Sequence, residues 1–189
     1  MRLKASAAAL DRALADKGGA LTPARAVERI AEICLSDPRV SWAKAVDEVP
    51  SAPGCVWANE VLDNLPVHLV EIRDGALLEV LVELAGERLV MTRRPPAGPE
   101  LAEFITRSGI ELREGHMHEI PMSTESFVAR AAAVVPTGAV ILVDSGLDAR
   151  TAAERPEGTL VCYSATGVDT QPLDAVGEKD ITVHANWTV

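Results

Sequence analysis

Apolar positions along the chain follow two rhythms. Leu3, Ala7, Leu10 and Leu14 recur every three or four residues, predicting a helix that Gly18 and Gly19 end. Thr22 before Pro23 is a helix start, with a capping hydroxyl and a proline at the first helical position. Val27, Ile30, Ala31 and Cys34 form the apolar stripe that follows. Asp37 and Pro38 close this second helix, residues 39–42 suit a short strand, and 50–54 read as a loop.

The rhythm changes at residues 55–60. A continuous apolar run bounded by turn residues predicts a strand buried on both faces, as in a parallel sheet, although periodicity alone leaves a buried helix open. It stops at Asn59 and Glu60, and residues 60–65 suit a short helix ending before Pro66. Segments 67–72, 77–84 and 88–91 are joined by Asp74-Gly75 and Gly86-Glu87, the pattern of an antiparallel meander. Leu101, Phe104, Ile105 and Ser108 share a helix face closed by Gly109, and another helix runs from near Ser123 to Pro136. Residues 139–143 repeat the earlier event, an apolar strand ending in Asp144, Ser145 and Gly146. Two further extended pieces follow at 158–164 and 181–187. The alternation of strands and helices predicts an α/β fold.

Composition narrows the functions available. The 189 residues are enough for one domain with a sizeable core, and 48% hydrophobic with 24% charged is an ordinary globular balance. Only 3% are aromatic, which disfavours a stacking platform for single-stranded nucleic acid. Lys plus Arg number 18 against 28 Asp plus Glu, a net charge of −10, so phosphate backbones and anionic membranes are poor partners. Without a spanning apolar run or a signal-type N-terminus, the expected location is cytoplasmic. Cys34, Cys55 and Cys162 are widely spaced and odd in number, which fits buried reduced thiols.

Ligands of open α/β sheets bind beyond the carboxyl ends of the strands. Asn59-Glu60 and Asp144-Ser145 stand at two such ends and define one crevice if the strands are neighbours; wet loop residues are the alternative. Glu60 and Asp63, three apart, share a face of a short helix, and Asn59 supplies both a donor and an acceptor. That set suits a cationic or N–H-bearing ligand, with N-capping by Asn59 as the other reading. His116 and His118 share an exposed strand face, and with no further ligand cluster no metal is expected. Neither a Gly-x-Ser-x-Gly elbow nor a Gly-x-Gly-x-x-Gly loop occurs.

The stretch Trp57-Ala58-Asn59-Glu60-Val61-Leu62-Asp63-Asn64-Leu65-Pro66-Val67-His68 resembles the MidA family of S-adenosylmethionine-dependent methyltransferases. Its human mitochondrial relative is an arginine methyltransferase that assists respiratory complex I assembly. His118-Glu119-Ile120, Val143-Asp144-Ser145-Gly146, Gly158-Thr159-Leu160 and Asp180-Ile181-Thr182-Val183-His184 extend the resemblance from about Asp37 to the C-terminus. Two departures stand out: Ser145 occupies the place of the family tyrosine, and the family's glycine-rich loop and the acidic residue after its second strand are not identifiable.

The resemblance implies a Rossmann-like class I methyltransferase core, incomplete, as one domain over 1–189 with an antiparallel β insertion at about 67–120. It implies S-adenosylmethionine as cofactor, with Ala58 and Asn59 on the cofactor side and Asn59, Glu60 and Asp63 as catalytic residues. Asp144 would face the substrate, a protein arginine or other protein nitrogen. The alternative is a truncated, non-catalytic homologue acting as an interaction module, resembling the middle of a methyltransferase without its ends. A homo-oligomer could supply a missing sheet edge.

Overall fold

The structure is a computed structural model that describes residues 36–188. Its strands are β1 (Gly54–Asn59), β2 (His68–Arg73), β3 (Ala76–Ala85), β4 (Arg88–Arg94), β5 (Met117–Ile120), β6 (Gly138–Val143), β7 (Gly146–Leu147), β8 (Val161–Ser164), β9 (Gly167–Asp169), β10 (Asp180–Thr182) and β11 (Ala185–Asn186). Its helices are α1 (Glu100–Ser108), α2 (Met122–Val134) and α3 (Ala149–Ala153), with 3₁₀ turns at Val46–Glu48 and Leu62–Asn64. The helices expected over 3–14 and 22–34, and Cys34 with them, lie outside the described residues. The chain divides into two compact units, Met1–Trp57 with Arg130–Ile141, and Ala58–Ala129 with Leu142–Val189.

In the first unit, loop 50–54 is tied to the end of α2. Ser51 Oγ donates to Ala133 O (3.2 Å) and Ala52 N to Val134 O (3.0 Å). Gly54 N donates to Thr137 O (3.0 Å), where the starts of β1 and β6 approach so closely that a Cβ on Gly138 would lie 1.8 Å from Gly54 O. Only glycine fits there, and its φ of +145° is one that other residues avoid. Residues 39–42 do not form the expected strand. The Asp37 carboxylate accepts from Arg39 N (2.9 Å) and from its guanidinium, so the chain turns instead of extending. The exposed Cys55 also departs from the expectation of buried thiols, which Cys162 in the second unit meets.

β1 and β6 pair with each other. Glu60 N bonds Val143 O (2.8 Å), six residues beyond the Gly54–Thr137 bond on both strands, so the bonds advance together as in a parallel pair. The expected burial on both faces is not observed. Ala58 is buried and Val56 and Leu142 half-buried, but Trp57, Ile141 and Val143 are 64%, 40% and 44% exposed, so one face is open.

The meander in the second unit forms as its turns predict. Asp74 and Gly75 both take positive φ (52° and 74°), the geometry of a two-residue hairpin turn, and Glu114 accepts from both of their amides. β4, β3, β2 and β5 lie in that order, all antiparallel. Alternation sends Val70 and Ile120 to one face, where they bury against Leu101, Phe104 and Ile105 of α1. Gly109 ends α1 in the left-handed conformation, its amide bonding back to the last turn. The four-stranded sheet thus has a helix on one face, while the other carries Leu69, Glu71, Arg93 and Glu119. The tail adds β10-β8-β9 and a parallel β7–β11 pair, both shorter than the extended pieces expected. α3 was not legible as a helix, although Asp148 caps it by accepting from Thr151 N (2.9 Å). Among the described residues no helix is long and apolar enough to cross a membrane.

Candidate active site

Residues 58–64, Asp144 and Asp180 all belong to the second unit. After Ala58 and Asn59 at the end of β1, Glu60 turns the chain with a φ of +51°, a left-handed conformation costly for a residue with a side chain. The short helix expected at 60–65 is a single 3₁₀ turn, Leu62–Asn64. Asn59 does not cap it. Instead Asp144, at the end of β6, accepts from Leu62 N (2.8 Å) and Asp63 N (3.3 Å) through Oδ2. The two strand ends expected to define one crevice are therefore joined by a carboxylate that satisfies the turn's free amides.

The other Asp144 oxygen, Oδ1, is buried and has no hydrogen-bond partner among the described residues. Such an atom is complete only with a donor or cation beside it. Asp63 is half-buried; burial, with Asp144, Glu60 and Asp180 as negative neighbours, pushes its carboxyl above the ordinary value of 3.8, against a hydrogen bond from Asn64 Nδ2 (2.7 Å). Asp180, which lies outside the sequence-derived site residues, joins the cluster because Val183 N bonds Asp63 O (3.0 Å), bringing the end of β10 to the turn. Its only signal in the sequence was its place in the Asp-Ile-Thr segment.

Asn59 and Glu60 are exposed, and among the described residues no hydrogen bond engages either side chain. Ala58 is buried and offers a ligand only its backbone. One amide and three carboxylates with a bare acceptor suit a positively charged, N–H-bearing group, the chemistry at the sulfonium and ammonium end of S-adenosylmethionine.

The histidines do not share an exposed face as expected. His118 is buried on β5, its Nε2 accepting from Arg113 N (3.0 Å), and burial pushes its pKa below 6.5, so it is neutral. His116 Nδ1 meets Ala153 O at 3.1 Å. Both rings are committed to the fold, and among the described residues no group of three His, Cys, Asp or Glu is arranged to hold a metal. Glu119 Oε1 accepts from Thr159 N (2.7 Å) and Leu160 N (3.1 Å), so the His-Glu-Ile and Gly-Thr-Leu segments meet. Thr159 Oγ1 accepts from His184 N (3.1 Å), next to the Val183 that holds Asp63. The Glu119 carboxylate, the Thr159 hydroxyl and one backbone bond thus link the four-stranded sheet to the acidic turn.

A mixed α/β chain with a polar site where parallel strands end defines the class. Residues 15–189 match the family described as "Putative S-adenosyl-L-methionine-dependent methyltransferase", and the chain belongs to that family. It is similar to the crystal structure of a COG1565 superfamily member from Burkholderia thailandensis bound to S-adenosyl-homocysteine. The identity is 30% and the TM-score 0.73, over 87% of this chain and 43% of the other. It is also similar to the native structure of an uncharacterized COG1565 superfamily protein from Burkholderia thailandensis, with 28% identity and a TM-score of 0.73 over 87% and 45% of the two chains. The chain therefore spans less than half the length of these relatives. No curated protein matches it.

Proposed function

We propose that the chain acts in S-adenosylmethionine-dependent methyl transfer of the MidA type, with a protein arginine nitrogen as acceptor. The observation that carries this reading is the buried, unpartnered Asp144 Oδ1 beside Asn59, Glu60 and Asp63, at the ends of β1 and β6. S-adenosylmethionine, when bound, supplies a methyl group on a positively charged sulfur. Asn59 and the backbone of Ala58 hold its charged end. The Asn59 carbonyl and the Glu60 carboxylate accept N–H bonds from the acceptor and aim its lone pair at the methyl carbon. An acceptor nitrogen that gains a methyl group would have to lose a proton, and Asp63, with its raised pKa, is the carboxylate that would take it. Asp144 keeps the turn in register, and its negative charge beside Asp63 favours a cationic acceptor.

Calorimetric titration with S-adenosylmethionine and S-adenosylhomocysteine tests the reading, with saturable heat expected for both. Absence of heat at millimolar ligand would leave the chain as a non-catalytic interaction module. If binding is found, Glu60→Ala is expected to reduce transfer more than cofactor affinity.

A further inference from the structure

The face of the four-stranded sheet opposite α1 holds a cavity of about 270 Å³, roofed by loop residues 156–160 and 170–172. That is below the roughly 300–1,000 Å³ of pockets for drug-sized ligands, and it fits one long side chain. Leu69, Met91, Met117 and Leu160 form its apolar wall. Its charges are Glu71, Glu119, Glu157 and Arg93, an acidic excess. Glu71 is committed, since Arg73 and Arg93 both bond it. Glu119 is not paired with a cation: its carboxylate accepts from Thr159 and Leu160, and among the described residues no ion pair reaches it. Burial without a counter-ion pushes the Glu119 carboxyl above 4.5, so an arriving cation would relieve a cost the fold already carries.

Beyond the cavity the same face continues onto the outer half of the β3–β4 hairpin. There the cross-strand pairs Val82↔Met91 and Leu84↔Leu89 set Val82 and Leu84 in solvent at 54% and 69% exposure, with Leu89 at 39%. We propose that this face binds an extended polypeptide, with one arginine or lysine side chain lying along Leu69, Met91 and Met117 and its cationic head at the Glu119 carboxylate. Apolar residues two positions from it, whose side chains share its side of an extended peptide, lie on Val82, Leu84 and Leu89. The proposal deepens the protein-acceptor reading and rests on it for the identity of the ligand.

The methyl signals of Met91 and Met117 in ¹³C-methyl-methionine-labelled full-length chain report the cavity, and Met122, packed against the opposite face, is the internal control. The probes are the capped pentapeptide Leu-Gly-Arg-Gly-Leu, its lysine and citrulline counterparts, and N-acetyl-arginine amide. Saturable shifts of Met91 and Met117 but not Met122 are expected with the arginine or lysine peptide, with no response to citrulline and weaker binding of the single amino acid. Glu119→Gln, which keeps the acceptor for the loop amides, should weaken the peptide about tenfold, and the exposed Glu157→Gln about two- to threefold. Equal shifts with citrulline, no shift at Met91 and Met117, or equal binding of peptide and single amino acid overturns the proposal. The readout needs no cofactor, so its failure is distinct from failure of the calorimetric titration.

Discussion

Asp144 shows how one residue can both hold a turn together and set its electrostatics. Oδ2 satisfies two amides of the 3₁₀ turn, while Oδ1 stays bare and its charge raises the pKa of Asp63. Asp144→Ala leaves both amides without an acceptor and is expected to cost about 1 to 3 kcal/mol in urea unfolding. Asp144→Asn, which keeps an acceptor, should cost less and lower the Asp63 pKa. Because the folded Asp63 pKa lies above its ordinary 3.8, its contribution to stability is complete below that value and is lost as pH rises through the folded pKa. Asp63→Asn should therefore flatten the loss of stability as pH rises above 3.8, measured by urea titration. A parallel pH profile in the variant would mean that Asp63 is not the group responsible. Asn59, Glu60, Asp63 and Asp144 were legible in the sequence as polar residues after apolar runs. The trans cap was not, because Asp144 is 82 positions from Leu62 and no local pattern encodes that pairing.

Among the elements, those with strong local chemistry were the most readable. The Asp74-Gly75 and Gly86-Glu87 turns place β2, β3 and β4 close to their expected bounds, and the Leu101, Phe104 and Ile105 stripe with Gly109 marks α1. The short elements β7, β9, β11 and α3 carry too few residues to show a period; β7 and β11 form by pairing with each other, β9 by pairing with β8, and α3 on its Asp148 cap. The loop that joins the sheet to the acidic turn depends on Gly158, whose φ is +75° and where a Cβ would lie 2.3 Å from Glu119 Oε1. Gly158→Ala should cost about 1 to 3 kcal/mol, read by chemical denaturation, and should weaken cofactor heat in the calorimetric titration as the Thr159–His184 link shifts. An unchanged midpoint would show that the loop does not anchor the sheet to the turn.

For the molecule as a whole, the three tryptophans, Trp42, Trp57 and Trp187, are 57%, 64% and 47% exposed. Their fluorescence should be readily quenched by acrylamide. If the homo-oligomer expected from an open sheet edge forms over the exposed face of β1, Trp57 becomes protected as protein concentration rises. Quenching independent of concentration, with monomeric light scattering, would remove that expectation. The sequence by itself determined that alternating apolar runs make an α/β chain, that an antiparallel meander interrupts it, and that polar residues cluster at two strand ends. These are local properties, set by period, turn chemistry and strand length. Only the tertiary structure decided that one carboxylate joins the two ends, that Asp180 enters the cluster, and that Glu119 and the loops carrying Glu157, Leu160 and Gln171 border a cavity on the open face of the sheet. Each of these depends on contacts between residues tens of positions apart, where burial and the need to satisfy every amide, not local pattern, select the partner.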